Sequence, residues 1–247
     1  MSIETAADLE ALREVGRITR ETLDALEARV HVGVSTAELD AVAAAVFAAN
    51  GARSAPALVY GFPGTVLISV NDEIVHGVPG ERRLEPGDLV KLDVTVEKNG
   101  YIADAARSVV VGAGSPIAQR LVECARAAFE AALAVAQVGA RVNVIGRAIE
   151  REVGRSGFVV MRGLEGHGVG RTIHEEPSVP NQYHAWQKDV LTEGLVLTIE
   201  PMIGAGSPQP IQDANGWTIR TKDGSLAAHY EHTLVIARDR PIVLTAA

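Results

Sequence analysis

Two aspartates, Asp93 and Asp104, are the first candidates for chemistry. Asp93 lies in Val90-Lys91-Leu92-Asp93-Val94-Thr95-Val96, which alternates as a strand does. Val90, Leu92, Val94 and Val96 form one face; Lys91, Asp93 and Thr95 form the other. Asn99-Gly100 is a strong signal for a two-residue type I′ turn. That turn sets Asp93 opposite Ala106 and Thr95 opposite Asp104. Asp93 and Asp104 then share a face as diagonal neighbours, roughly 7 Å apart at Cα. Carboxylates that close repel one another and raise a pKa, unless a cation sits between them. Spacing alone also fits two solvated acids on an open sheet face, or a pair bridged by one Arg or Lys.

The C-terminal half adds imidazoles and two more acids. His167 and His174 fall within the run Gly166 to Pro177, where Gly166, Gly168 and Gly170 leave room for close approach of a ligand. Glu200 ends the apolar run Leu195 to Ile199 and precedes Pro201, an awkward place for an unpartnered charge if buried. Glu231 opens another apolar run, within His229 to Ile236, and His76 lies in Asn71 to Gly80. Singly, each reads equally well as a surface histidine or an edge-strand charge. Together, hard carboxylate oxygens with imidazole and no thiolate suit Mn, Fe, Co or Zn. Four carboxylates balance two divalent ions, and carboxylates bridging ions roughly 3.5–4 Å apart make a hydrolytic dinuclear site.

Other schemes lack their residues. There is no Gly-x-Ser-x-Gly elbow. Gly163 and Gly168 have phosphate-loop spacing, but Val169 stands where Lys is needed. The single cysteine, Cys124, excludes an internal disulfide and a cysteine-based zinc site, and its apolar helical setting reads as a buried thiol. With 247 residues, 47% apolar and 22% charged, the chain can bury a sizeable core and is not disordered. The net charge of −8 argues against nucleic acid, specific DNA included. Met1-Ser2-Ile3-Glu4-Thr5 lacks the basic and apolar regions of a signal peptide. The uncharged run Ser54 to Asn71 is interrupted by Pro56, Gly61, Pro63 and Gly64 and cannot span a membrane. A soluble, cytoplasmic protein is the expectation.

The elements that must position these groups come in two similar sets. Leu9, Leu12, Val15 and Ile18 recur at helical spacing within Glu4 to Arg29. Ser35 and Glu38 form a capping-box pair for a second helix, which Asn50-Gly51 closes. From Ser54 to Val111 the pattern changes to short β-type runs, Thr65–Val70, Leu89–Val96 and Tyr101–Val111. Ser115-Pro116 opens a third helix to about Gln137, and a fourth runs from Val142 to Arg155. Strand-type runs then recur at Phe158–Met161, Leu195–Ile203, Thr218–Thr221 and His229–Ile236. Helices grouped before strands, twice over, predict an α+β fold. No low-complexity linker separates the halves, at approximately 1–113 and 114–247, so a single domain with one shared sheet is expected.

These motifs, in this order, resemble the type I methionine aminopeptidases of the pita-bread fold. The resemblance rests on His76-Gly77, Lys91 to Val96, Asp104, Gly166 to Gly170, His174 to Pro177, Thr198 to Met202 and Tyr230 to Thr233, and spans roughly residues 5–240. It implies two pseudo-symmetric halves on a curved antiparallel sheet and a site for two divalent ions (Co, Mn, Fe or Zn). Asp93, Asp104, His167, Glu200 and Glu231 would be the five ligands, with Asp104 and Glu231 shared by both ions. A bridging water or hydroxide would attack the scissile carbonyl, Glu200 would shuttle the proton, and His174 would stabilise the oxyanion. His76 would contact the peptide beyond the cleaved bond. Tyr60, Phe62 and Trp217, with Ile173 nearby, would wall the methionine pocket. Pro56 and Val59 stand where Cys and Tyr are frequent in bacterial relatives, which alters pocket shape.

The implied activity is removal of initiator methionine from nascent polypeptide N-termini at the ribosome, by a monomer. Prolidases and aminopeptidases P share the ligand types but carry an extra N-terminal domain, for which the position of Asp93 leaves no room. Type II relatives carry a helical insertion between the last two glutamates, and the thirty residues between Glu200 and Glu231 are too few for it. An Xaa-Pro-cleaving enzyme and a metal-free binding protein of the same fold are the competing readings.

Overall fold

The computed structural model describes residues 1–246. The first half runs α1 (Ala6–Glu27), α2 (Thr36–Asn50), β1 (Arg53–Ser54), α3 (Ala55–Tyr60), β2 (Leu67–Val70), β3 (Glu73–Val75), β4 (Leu89–Lys98) and β5 (Tyr101–Val110). The second runs α4 (Pro116–Val135), α5 (Asn143–Arg155), β6 (Val159–Val160), β7 (Gly166–Gly168), β8 (Glu175–Val179), β9 (Val196–Ile199) and β10 (Met202–Gly204). It ends with β11 (Pro210–Gln212), β12 (Ile219–Thr221), β13 (Ala227–His229), β14 (Glu231–Val235) and β15 (Ile242–Val243). The long helices precede the strands in each half, as the hydrophobic periodicity predicts, and the fold is α+β.

Three of the long helices begin where a side-chain oxygen satisfies a first-turn amide. Thr5, Ser35 and Ser115 accept from the backbone amides of Asp8, Glu38 and Ala118. Leu12, Val15 and Ile18 of α1 share a core with Leu92, Val94 and Val96 of β4. Leu121 and Ala125 of α4, with Ile145 and Ile149 of α5, share another with Leu197, Ile199 and Leu234. Cys124 is a free, buried thiol within it.

The main sheet has nine strands in the order β1-β4-β5-β14-β9-β7-β8, with β2 also on β4 and β15 on β14. Its strands come from both halves, which meet where Glu231 of β14 opposes Ala106 of β5. The β4–β5 ladder pairs Asp93 with Ala106 and Thr95 with Asp104. That is the register set by a type I′ turn, and Asn99 and Gly100 take the required positive φ of 53° and 78°.

Two expectations differ. The β-type stretch after Ser54 opens with a short helix, α3. Ser54 caps it, Pro56 occupies its first turn and Gly61 ends it at φ 71°. The runs Leu195–Ile203 and His229–Ile236 are not continuous strands. β9 pairs with β14 in the main sheet, whereas β10 pairs with β13 in a second sheet, β13-β10-β6. The two chain segments cross together from one sheet to the other, and the amide of Tyr230 donates to the Pro201 carbonyl at the crossing. Pro201 has no N–H to offer a ladder, which suits a break there. A third sheet, β11-β12-β3, closes the side near His76. Among the described residues no helix is long and apolar enough to cross a membrane.

Candidate metal centre

Alternation along β4 sends Leu92, Val94 and Val96 toward the helices, so Asp93 and Thr95 face the other way. There they line a cavity of about 220 Å³. Asp104, His167, Glu200, Glu231, His76 and His174 line the same cavity, as do Tyr60, Phe62, Ile173, Trp217 and Pro56. The one exception among the sequence candidates is Val59, which is 52% exposed and outside the lining. It sits on the last turn of α3, beside Tyr60, with its side chain in solvent.

The four carboxylates are interior groups: Asp93 is 7% exposed, Asp104 6%, Glu200 7% and Glu231 2%. The open-face reading of the aspartate pair is therefore overturned, because a second layer covers that face. No Lys or Arg forms an ion pair with any of the four among the described residues. Burial, followed by mutual repulsion, pushes the carboxyls of Asp93, Glu200 and Glu231 well above the ordinary range. Asp104 is pushed by burial up to about 6.

Each group is held from behind. Thr95 Oγ1 donates to Asp104 Oδ1 at 3.0 Å, and Thr198 Oγ1 donates to Glu200 Oε1 at 2.8 Å. Thr233 Oγ1 accepts from the Asp104 amide and donates to its carbonyl, both at 2.8 Å, tying β14 to β5. His167 Nδ1 lies 2.9 Å from the Gly168 carbonyl, which can only accept. The ring hydrogen is therefore on Nδ1, and Nε2 presents a lone pair 3.4 Å from Glu200 Oε1. Tyr60 Oη lies 2.6 Å from His174 Nδ1. His76 adopts φ +60°, a strained setting for a non-glycine residue and one found at functional sites. Phe62 and Trp217 meet edge to face, centroids 5.3 Å apart.

Comparison with known proteins decides the family. The pattern of metallopeptidase family M24 matches residues 10–238. The chain belongs to metallopeptidase family M24. Methionine aminopeptidase 2 of Bacillus subtilis (strain 168) is 39% identical to this M24 peptidase over 247 residues, covering 99% of each chain. The crystal structure of methionine aminopeptidase from Rickettsia prowazekii superposes with a TM-score of 0.95 at 34% identity, covering 100% of each. The fold is thus the pita-bread fold of those enzymes. A prolidase from Pyrococcus horikoshii is more distant, with a TM-score of 0.80 and 23% identity over 63% of its length, a likeness of fold alone.

M24 metallopeptidases use divalent metal, and the donor set of this M24 peptidase fits one. Two groups each offer ligand atoms within 4.8 Å of one another: Asp93, His229 and Glu231, and Asp104, His167 and Glu231. Glu231 Oε1 is buried with no hydrogen-bond partner among the described residues. A carboxylate oxygen without a donor, in a nest of carboxylates, is satisfied by a cation and by little else.

One member of these groups, His229, is absent from the sequence candidates of this M24 peptidase. The signal was its place two residues before Glu231, on the same side of a strand-type run. The glycines around His167 also serve a different purpose from the one expected. A Cβ on Gly168 would sit 2.3 Å from the Glu176 carbonyl, and one on Gly166 2.8 Å from that of Thr198. They let neighbouring strands close on β7; they do not admit a ligand.

Proposed function

We propose that the chain removes the N-terminal methionine from nascent proteins and peptides by hydrolysis at a dinuclear site. The observation that carries this is the nest of four buried, uncompensated carboxylates on the floor of a cavity walled by Phe62, Trp217 and Tyr60. Asp93, Asp104, His167, Glu200 and Glu231 would hold two divalent ions. Such ions supply Lewis acidity and water acidic enough to attack a carbonyl at neutral pH.

The side chains do the rest. Glu200 has one oxygen tethered to Thr198, which orients its carboxyl to take a proton from the attacking water and return it to the leaving amine. Tyr60 holds Nδ1 of His174, which leaves Nε2 to donate to the scissile carbonyl as charge builds on its oxygen. Burial, then the neighbouring His174, pushes His76 down to about 4, so it is a neutral group that positions the amide. Phe62 and Trp217 offer apolar ring faces and edges to an unbranched thioether. The same reading makes the chain one catalytic domain, a cytoplasmic monomer that meets its substrates at the ribosome.

The competing reading is Xaa-Pro cleavage. Turnover of Met-Ala-Ser and Ala-Pro-Ala on the metal-reconstituted enzyme separates them. Faster hydrolysis of Met-Ala-Ser is expected, and faster hydrolysis of Ala-Pro-Ala would overturn the proposal.

A further inference from the structure

His229 is 1% exposed, yet neither ring nitrogen has a hydrogen-bond partner among the described residues. Its Nε2 lies 3.7 Å from Glu200 Oε2 and 3.6 Å from Glu231 Oε2, beyond hydrogen-bond reach of either. A neutral imidazole carries one N–H and one lone-pair nitrogen, and here both are buried without a partner among the described residues. A buried polar ring is costly unless something satisfies it, and Glu231 Oε1 beside it is equally without a partner. A cation between Nε2 and the carboxylates would satisfy both at once.

The backbone aims the ring at that point. The His229 amide donates to Ser108 Oγ, and Ser108 Oγ donates to the His229 carbonyl, at 2.9 and 2.8 Å. This clamps the residue to β5 just before the chain crosses into β14. Its ring joins Asp93 and Glu231 in one group, as His167 joins Asp104 and Glu231 in the other. The two groups share Glu231, and each contains one imidazole.

We propose that His229 is a sixth protein ligand, coordinating the ion held by Asp93 and Glu231 through Nε2, so that each ion has its own imidazole. The inference rests on the metal-dependent reading above. A nitrogen donor on both sides shifts the pair of sites away from manganese and toward cobalt and zinc.

Cobalt(II) is the probe. Each imidazole bound to it gives a hyperfine-shifted ring N–H proton resonance that disappears in D2O. Protein loaded with two equivalents of cobalt should show two such resonances. His229→Gln and His167→Gln should each show one, and calorimetry should find cobalt affinity about 10- to 100-fold lower in His229→Gln. A single resonance in the unaltered protein, kept in His229→Gln, would overturn the proposal and make His229 a positioning residue outside the coordination sphere. If His229→Gln does not fold, the count in the unaltered protein decides alone. Absence of cobalt binding in the unaltered protein would overturn both the inference and the metal-dependent reading. Two resonances together with faster cleavage of Ala-Pro-Ala would leave the ligand standing and remove only the assigned substrate.

Discussion

The molecule holds two clusters of carboxylates, and they are built in opposite ways. Around Arg220, three acids converge on one guanidinium: Asp213 at 2.6 Å, Glu73 at 2.8 Å and Asp72 at 3.0 Å. Burial works against the Arg220 charge, but the hydrogen bonds it donates to Asp213 and Asp72 hold its pKa above the ordinary value. Asp213 is in turn held below the usual carboxylate range by that contact. Around Glu231, four deeper acids have no such partner and three of them are pushed far up. The first cluster carries its cation covalently and needs nothing more. The second is unfavourable as it stands, so it is built for a cation that arrives from outside. A clamp of the first kind locks β3 to β12, near His76 and Trp217, while the second kind can do chemistry.

The largest effect should come from breaking the second cluster. Asp104→Ala should lower turnover of Met-Ala-Ser by about 1,000-fold or more, as losing several kcal/mol of charge stabilisation implies. Asp213→Ala should change it only a few-fold, and comparable losses in the two variants would erase the contrast. Next comes metal itself. At about 100 times Kd, added cobalt or manganese should stabilise the protein by about 2.7 kcal/mol. For a chain of this size that raises Tm by about 5–10 °C. Glu231→Gln should show no such rise by scanning calorimetry. Third, Arg220→Met leaves three acids facing one another and should cost about 1–3 kcal/mol in urea unfolding, with or without metal.

The smallest effect is a difference of sign with pH in the metal-free protein. Asp104, at about 6 against an ordinary 3.8, keeps its proton longer folded than unfolded. Its contribution to stability therefore falls as pH rises from about 4 to about 6. Asp213 is depressed, so its contribution is present above the ordinary carboxylate pKa and lost as pH falls. Unfolding of metal-free Asp104→Asn and Asp213→Asn as a function of pH should shift in opposite directions from the unaltered protein. Shifts of the same sign would mean the two clusters are not electrostatic opposites.

What could be read from the chain alone follows from how local each feature is. Asp93 and Asp104 are related by a single turn, so alternation and Asn99-Gly100 suffice to oppose Thr95 and Asp104. The helix caps at Ser35 and Ser115 are equally local. The crossing of β9/β10 and β13/β14 is not, because it depends on pairing residues near 200 with residues near 230. Glu200 and Glu231 were visible as charges at strand ends, but the reason the strands break there was not. His229 was hidden by the same break, since its partners Ser108 and Asp93 are remote in sequence. α3 was missed although Ser54, Pro56 and Gly61 mark it, because the apolar run around them reads as strand. Gly166 and Gly168 advertised close approach without saying that the approaching groups were the carbonyls of Thr198 and Glu176.

The central place of β14 has a consequence for the order in which the molecule is made. Synthesis from the N-terminus delivers the β4–β5 hairpin, with Asp93 and Asp104, long before residues 231–235 exist. Until then β5 is an open edge, and the pairing that closes it spans more than half the chain. Glu231 arrives with the strand that fills the gap between β5 and β9. The catalyst is thus among the last things its own gene product acquires. A copy halted before β14 lacks Glu231, the acid common to both ligand groups, and carries an unpaired strand edge prone to stick to other chains.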